Sequence, residues 1–442
     1  MDNEITAMSV LLGLPGFELL AVSEHDGELE LAVETTAGEA FCEACGVRAR
    51  LHDRRPTWVR DLPIGGRPVT LVWVKRVWRC AEMLCPRVTW TETVEAIGAR
   101  MSLTERARAE ACRRVGQDAD SVAEVARAYG AGWATIMAAV TEHGQRLLAA
   151  DDRMEPVRAL GLDETAFLAA TAQHPTLFVT GFVDVDRHRL LDVVEDRCGA
   201  SVSGWLSRQD TGWRDGVQTV ALDPHAGYRS GLLTGFADRT ERGLSAPVYV
   251  VDHFHAIALA NAAIDDIRRR VQQDTLGHRG RSGDPLYGIR RVLLRGAERL
   301  STRAWDRLLA GLDAGDPHGE LGAAWIAKED LRRVYAAPDQ TQAQRRLTDL
   351  HSRCARSDVP ELRRLARTIG RWQTEILAYF DTRHASNGPT EAVNLLMKQV
   401  KRVGFGFRSF TNYRLRLLLH CGLTWNTHIT TPIRGRLPRL AA

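Results

Sequence analysis

The order of strands and helices between Val157 and Asp252 is the feature that most restricts what this chain can fold into. Short apolar stretches in “VRALGLD”, “LFVTGFVDV” and “RLLDVVED” predict three strands. Two further strands, “VQTVALD” and “PVYVVD”, each follow a helical stretch. Strand, strand, strand, helix, strand, helix, strand is typical of a mixed sheet with helices on its faces.

After Asp252 the sequence indicates helices alone, in a series of Arg-rich amphipathic stretches. The strand order before them is that of the ribonuclease-H-like fold. We therefore predict a multidomain α+β protein whose ribonuclease-H-like α/β core is interrupted by an all-helical insertion. The expected segments are a zinc ribbon at 1–97, a helix-turn-helix region at 98–150, the first part of the core at 151–254, the helical insertion at 255–383, and the C-terminal helix of the core with a basic tail at 384–442.

Four of the eight cysteines form two closely spaced pairs, Cys42-x2-Cys45 and Cys80-x4-Cys85. A stretch that alternates like a strand, “PVTLVWVKRVWRC”, leads into the second pair. Two such pairs favour a tetrahedral four-cysteine site for one structural Zn²⁺, which would stabilise a region with little core of its own. Two alternatives remain: four ordinary reduced cysteines, or His52 as a substitute ligand, although His52 lies outside both pairs.

Residues 102–148 look helical, and “DSVAEVARAYGAGWATIMAAVTEHG” is typical of a helix-turn-helix. Gly130 would lie in the turn, and the second helix would begin at about Trp133. A recognition helix usually presents Arg, Lys, Asn or Gln to the bases, and “WATIMAAVTEHG” contains none of these. Base reading by this helix and a role in packing or dimer contacts both remain open.

Three carboxylates are candidates for one catalytic site. Asp163 ends the first predicted strand and Asp223 ends the fourth, and we expect these strands to be parallel neighbours, so the two side chains should meet. Glu391 lies just after Gly388 and Pro389, which suit a helix start. Like charges at such close range require cations, and carboxylate oxygens suit Mg²⁺ or Mn²⁺. We expect the three side chains to hold two such ions.

Each of these carboxylates also has an ordinary structural interpretation, because Asp often ends strands in turns and Glu often begins helices. Four other acidic residues compete with them: Glu164, Asp184, Asp192 and Asp252. Asp252 is the most serious competitor, since it also ends a strand, in “VVDHFHAI” beside His253 and His255. We expect it to support the site or to contact substrate.

The net charge of +4 is small, but positive charge is concentrated in two regions. Residues 42–90 hold ten basic and four acidic side chains. From Ala392 to Ala442 there are nine Lys and Arg and no Asp or Glu. A helix that begins near Glu391 would present a polar stripe opposite an apolar one. The side chains of this stripe and the tail expected to contact nucleic-acid phosphates are Asn394, Lys398, Lys401, Arg402, Arg408, Arg414 and Arg416.

No stretch has the pattern of a signal peptide, and no apolar run approaches the length needed to cross a bilayer. We therefore expect a soluble cytoplasmic protein with no membrane partner.

Five stretches resemble the ISL-three family of bacterial insertion-sequence transposases, which belong to the DDE class: “GLDETAF”, “ALDPHAGYRSGL”, “VVDHFHAIALAN”, “WIAKEDLRRVY” and “SNGPTEAVNLLMKQVKRVGFGFRSFTNYRLRLLLHCG”. The resemblance runs over nearly the whole chain and is most specific in the last stretch. It implies that Asp163, Asp223 and Glu391 are the acidic triad, with a helical insertion before the glutamate. One departure is the pair Leu395 and Leu396, where the family often has a more polar stretch.

The resemblance implies a DNA transposase in the bacterial cytoplasm, at the nucleoid. It would bind double-stranded DNA at the terminal inverted repeats of its element and at the target, and it would cleave and join strands with metal ions. Because two ends must be joined, a homodimer or a larger assembly is expected. Two alternatives remain open: a non-enzymatic DNA-binding regulator and a structure-specific nuclease on the same fold.

Overall fold

The structure, a computed structural model, describes residues 12–382 and 384–425, which divide into two units. The first unit combines the residues up to Asp151 with those from Gln399, and the second runs from Asp152 to Lys398. The expected segments 1–97 and 98–150 thus fall in one unit, and the expected segment 384–442 is divided between the two.

Apolar alternation in the N-terminal part produces a five-stranded sheet. Its strands are β1 (Phe17–His25), β2 (Glu28–Thr35), β3 (Arg50–Ile64), β4 (Arg67–Arg79) and β5 (Thr89–Thr91). β2 and β4 are parallel neighbours, and the other pairs are antiparallel. The predicted strand that leads into Cys80 is confirmed as β4.

This sheet has a hydrophobic core of its own. Val69, Leu71 and Trp73 alternate along β4 and are fully buried, and the ring of Phe17 packs edge-on against Trp73 at 5.7 Å. The expectation that this region has little core besides its metal site is therefore wrong. Residues 12–35 supply much of the apolar surface of this core, and their buried side chains belong to the same cluster as those of β4.

Three helices follow in the stretch predicted to be helical: α1 (Glu105–Gly116), α2 (Val122–Ala128) and α3 (Trp133–Ala150). The side chain of Thr104 caps α1, and Ser121 caps α2 in a capping box with Glu124. Gly130 has φ 59°, a conformation that favours glycine, in the turn between α2 and α3. Leu419 of the C-terminal segment belongs to the same apolar cluster as these helices.

The second unit contains a mixed sheet in the order β10-β9-β6-β7-β8. Its strands are β6 (Ala159–Leu168), β7 (Leu177–Asp184), β8 (Arg189–Glu195), β9 (Thr219–Leu222) and β10 (Val248–Val250). β6, β9 and β10 are parallel, and β7 and β8 are antiparallel to their neighbours. Leu162 pairs with Leu222 across β6 and β9, so the prediction that the first and fourth strands are parallel neighbours is confirmed.

Four helices lie between β8 and β10: α4 (Gly199–Ser207), α5 (Thr211–Gly216), α6 (Ala226–Gly235) and α7 (Ala237–Glu241). α4 and α6 approach so closely that a Cβ on Gly231 would lie 2.5 Å from the carbonyl oxygen of Gly199. The large buried rings of Trp205 and Phe182 stack at 3.8 Å, which packs α4 against β7.

The predicted helical insertion consists of α8 (His253–Leu276), α9 (Pro285–Leu293), α10 (Thr302–Gly315), α11 (Glu320–Tyr335), α12 (Gln340–Ala355), α13 (Pro360–Arg371) and α14 (Gln373–Asp381). The sequence did not indicate α12, whose buried residues are only Ala343, Leu347, Leu350 and Cys354. A single helix was expected where α13 and α14 stand. The chain bends between them at Trp372, whose backbone leaves the helical conformation while its side chain is buried.

The last helices are α15 (Gly388–Val403) and α16 (Phe410–Leu417), followed by a short π-helical turn, Leu418–Gly422. The expected apolar stripe of α15 is buried at Val393, Met397 and Val400, whereas Leu395 and Leu396 are exposed. None of the helices in the described ranges is both long and apolar enough to span a bilayer.

Candidate active site

The three candidate carboxylates are brought together from three elements of the second unit. Asp223 directly follows β9, and Glu391 lies in the first turn of α15. Asp163 lies inside β6 and not at its end as predicted, because β6 pairs with β7 as far as Leu168, whereas its pairing with β9 stops just before Asp163. One oxygen each of Asp163 and Glu391 and a nitrogen of His255 lie within 4.8 Å of one another.

His255 lies between the carboxylates. Its Nε2 contacts Oδ1 of Asp223 and is 3.0 Å from Oε1 of Glu391, and its Nδ1 is 3.0 Å from Oδ1 of Asp252. Burial alone would lower the pKa of His255, but the hydrogen bonds to these three carboxylates outweigh it and raise the pKa to about 12. The imidazolium therefore offsets part of the negative charge.

Sequence reasoning did not assign His255 to the site. The available signal was its spacing from Asp252, since the two flank the first turn of α8. Asp252 is 2% exposed and caps α8 by accepting from the backbone N–H of His255 at 3.1 Å. Its other oxygen accepts from the backbone N–H of Asn387 at 2.8 Å. Asp252 thus fixes both His255 and the start of the segment that leads into α15.

Asn394 holds Asp163 in place. Its Nδ2 donates to Oδ2 of Asp163 at 2.5 Å, and its Oδ1 accepts from the hydroxyl of Thr165 at 3.2 Å. The side chain is 1% exposed, so its expected place on the phosphate-facing stripe of α15 is wrong. The other oxygen of Asp163 accepts from the backbone N–H of Glu164 at 2.7 Å.

The electrostatics of Asp163 indicate a site that suits cations. Burial raises its pKa, and repulsion by Asp223 and Glu391 raises it further, to about 8. The pKa of Glu391 is lowered, chiefly by its hydrogen bond to His255. A bound cation would relieve the repulsion that raises the pKa of Asp163, and hard carboxylate oxygens are the donors that Mg²⁺ and Mn²⁺ prefer, so the residues present fit such ions.

The competing acidic residues have structural partners elsewhere. Glu164 forms an ion pair with Arg197 at 2.8 Å. Asp184 accepts backbone N–H groups in the turn after β7. Asp192 accepts from the indole N–H of Trp205 at 3.0 Å. These contacts give each of the three a role in packing or turn formation.

A second cluster, in the first unit, joins Cys42, Cys45, Cys80 and Cys85. The Sγ atoms of Cys42 and Cys85 are 3.7 Å apart, and those of Cys45 and Cys80 are 3.5 Å apart. Zn–S bonds of about 2.3 Å in a tetrahedron place sulfur atoms about 3.8 Å apart, so the cluster fits Zn²⁺. His52 is not part of this group.

The residues expected to contact phosphates differ in exposure. Lys398, Arg402 and Arg408 are exposed, and Lys401 and Arg414 are half-buried. Arg416 is buried and donates to the carbonyl oxygen of Asp120 at 2.9 Å, so it is not available for the expected contact. Arg434, Arg436 and Arg439 of the basic tail lie outside the described residues.

Many cations of residues 42–90 are already paired. Arg54 and Arg76 both contact Glu34 of β2 at 3.0 Å, and Arg67 contacts Glu24 of β1 at 2.8 Å. The acids of β1 and β2 therefore reduce the positive charge that the stretch 42–90 suggests by itself.

Comparison with known proteins adds to this geometry. A family model described as a transposase, of the ISL3 DDE type, matches residues 160–417. A second model, described as the zinc-finger of transposases IS204, IS1001, IS1096 and IS1165, matches residues 39–85. Proteins from two strains of Mycobacterium tuberculosis, each described as the transposase for insertion sequence element IS1557, are 26% identical over 299 residues. The match spans 63% of this chain and 63% of those relatives. No solved structure matches the chain.

Proposed function

Because the chain belongs to the ISL3 family of DDE transposases, we propose that it binds the terminal inverted repeats of an insertion sequence and catalyses metal-dependent cleavage and transfer of DNA strands. The observation that carries this proposal is the convergence of Asp163, Asp223 and Glu391 from a strand, a strand end and a helix start around His255. The sheet order supports a ribonuclease-H-like core for the second unit.

The chemistry proposed is in-line attack on a phosphodiester, first by water and then by a 3′-hydroxyl. Phosphoryl transfer depends on positioning and on charge stabilisation more than on covalent participation by the protein. Two Mg²⁺ or Mn²⁺ ions, when bound, would supply stabilisation of the attacking and leaving oxygens. Asp163, Asp223 and Glu391 would hold these ions.

The surrounding residues keep the carboxylates in position. Asn394 fixes the orientation of Asp163, and Asp252 fixes that of His255, which holds protons at Nδ1 and Nε2. The imidazolium lies in contact with both Asp223 and Glu391 and limits the repulsion between them. The site is therefore organised by the protein before substrate binds.

DNA binding is proposed for two parts of the chain. Lys398, Arg402 and Arg408 would neutralise phosphates without reading sequence. The zinc ribbon, the helices α2 and α3 as a helix-turn-helix, or both, would recognise the terminal repeats. A homodimer or larger assembly would bring two ends together.

A non-enzymatic DNA-binding regulator is the weaker candidate, because it has no use for three carboxylates that converge from distant parts of the sequence. A structure-specific nuclease would use the same site but would not join strands. The deciding experiment incubates the full chain with the ends of its own element and Mn²⁺. Nicked products together with joined products are expected. Nicked products alone would favour the nuclease. The absence of both products would favour the regulator.

A further inference from the structure

The loop between α15 and α16 exposes an aromatic ring on a backbone that disfavours it. Phe405 is 96% exposed, the largest exposed fraction among the large apolar side chains of the described residues. Its φ of 53° lies in the left-handed region, which side chains other than glycine rarely adopt. A bulky apolar residue that is strained and also solvent-exposed contributes little to folding, which points to a role in binding.

The end of α15 fixes this conformation. The backbone N–H of Phe405 donates to the carbonyl of Arg402, and that of Gly406 donates to the carbonyl of Lys401, each at 3.0 Å. This is the hydrogen-bond pattern of a helix C-terminus that ends in a left-handed residue. Phe405 occupies the left-handed position, with Gly404 and Gly406 on either side.

The rest of the loop packs against α16, which holds the backbone on either side of Phe405 in place. The rings of Phe407 and the buried Tyr413 are 5.0 Å apart, and the guanidinium of Arg416 lies 5.6 Å from the Phe407 ring. A Cβ on Gly404 would lie 2.9 Å from that ring, so the loop packs tightly at this point. Phe407 therefore faces inward while Phe405 faces solvent.

The surface around Phe405 is concave and basic. Phe405 lines a cleft of about 310 Å³ together with Arg408 and Trp133, which is 52% exposed. Among the described residues, the cleft lining includes the exposed Arg408 and no acidic residue, whereas its second arginine, Arg416, is buried and donates to the carbonyl oxygen of Asp120. Arg402, at the end of α15, is exposed as well. An exposed apolar ring with exposed arginines close to it in sequence matches the chemistry of DNA, which offers stacked bases between rows of phosphates.

We propose that Phe405 is a wedge that inserts between two base pairs of the duplex bound by this unit, while Arg402 and Arg408 neutralise the flanking phosphates. Insertion of an apolar side chain unstacks one base step and bends the duplex. The two backbone hydrogen bonds at the end of α15 fix the backbone of Phe405, which reduces the conformational entropy lost on insertion. The wedge rests on the proposed function, because it requires DNA as the substrate.

The test uses duplexes of the element's own terminal sequence, each with one 2-aminopurine at a different position. The full chain is added at saturating concentration without Mg²⁺ or Mn²⁺, and binding is followed separately by fluorescence anisotropy. Unstacking should raise 2-aminopurine emission several-fold at one position or two adjacent ones. The Phe405→Ala variant should still bind the duplex but should not increase the emission. The Phe405→Trp variant should increase the emission as the wild type does. Leu309→Ala, which truncates a 58% exposed side chain on α10, is the matched control and should behave as wild type.

An equal increase in 2-aminopurine emission with Phe405→Ala would overturn the wedge. So would binding by the wild type without increased emission at any position. A change in the oligomeric state of Phe405→Ala in light scattering, with the DNA signal intact, would assign the ring to a protein contact instead. Cleavage of element ends with Mn²⁺ separates the two proposals. If cleavage is present and the 2-aminopurine signal is absent, the wedge alone fails. If binding and cleavage are both absent, the proposed function fails and the wedge with it.

Discussion

The amide of Asn394 is buried and donates a hydrogen bond to the carboxylate of Asp163. We expect Asn394→Ala to lower Mn²⁺-dependent cleavage about 10- to 100-fold, because this is the usual effect of removing a group that orients a metal ligand, the role that we propose for Asp163. Affinity for end DNA should be unchanged. Cleavage rates at saturating DNA and a separate binding assay measure the two effects.

Lys398→Ala is the matched control on the same helix, since Lys398 is exposed. It should weaken DNA binding and reduce the slope of log affinity against log salt by about 1. If Asn394→Ala instead weakened binding and left the saturated cleavage rate intact, Asn394 would be a DNA contact after all.

The left-handed conformation of Phe405 gives a separate prediction about stability. A non-glycine residue in this region costs about 1 kcal/mol or more, and glycine avoids the cost. Phe405→Gly should therefore raise the free energy of unfolding by about 1 kcal/mol relative to Phe405→Ala, because both variants remove the ring and only glycine relieves the backbone. Denaturant unfolding of the two variants measures this difference, and equal midpoints would contradict it.

At the scale of elements, the packing of β6 against the start of α15 positions Glu391. A Cβ on Gly161 would overlap Oγ1 of Thr390 and would lie 3.1 Å from Oδ1 of Asn387. Gly161→Ala should therefore displace the first turn of α15, lower stability by about 1–3 kcal/mol and reduce cleavage. Thermal unfolding and the cleavage assay report the two effects.

Gly288→Ala is the control for this substitution. A Cβ on Gly288, within α9, has no atom within 4 Å, so alanine should leave cleavage intact and raise helix stability by about 0.5–1 kcal/mol. Similar losses of activity in both variants would show that the effect of Gly161→Ala does not arise from the contact with α15.

The zinc ribbon gives an element-scale prediction about metal removal. Chelation should release one Zn²⁺ per chain and unfold the two cysteine-bearing turns, because the four thiolates lie close together. The sheet around Trp73 should remain folded, since its core does not depend on the cysteines. Hydrogen exchange should therefore increase around Cys42 and Cys80 but not in the central part of β4. Equal loss of protection in both would show that the metal stabilises the whole sheet.

Local periodicity was sufficient to predict β4 and the five strands of the second unit, the expected strand order gave the parallel neighbours β6 and β9, and Gly388 and Pro389 indicated the start of α15. Local patterns were not sufficient where contacts between residues distant in sequence determine the structure. The length of β6 beyond Asp163 depends on β7, and the role of Asn394 depends on Asp163, 231 residues away. α12 was not predicted because only Leu347 and Leu350 on its buried face are large apolar side chains, the other two being Ala343 and Cys354. The positive charge of residues 42–90 was overestimated because its partners lie in β1 and β2.

At the scale of the whole molecule, we propose that the second unit carries out the chemistry and that residues of both units contact DNA. The proposed role of the three carboxylates is best tested by measuring cleavage by the full chain, with wild type beside Asp163→Asn, Asp223→Asn and Glu391→Gln. These substitutions remove one charge each with little change in shape. Glu164→Gln is the control, because Glu164 neighbours Asp163 in sequence but pairs with Arg197. We predict that all three variants bind end DNA and fail to cut it, while Glu164→Gln cuts at the wild-type rate. Normal cleavage by any one of the three variants would contradict the proposal that the three carboxylates form the catalytic site.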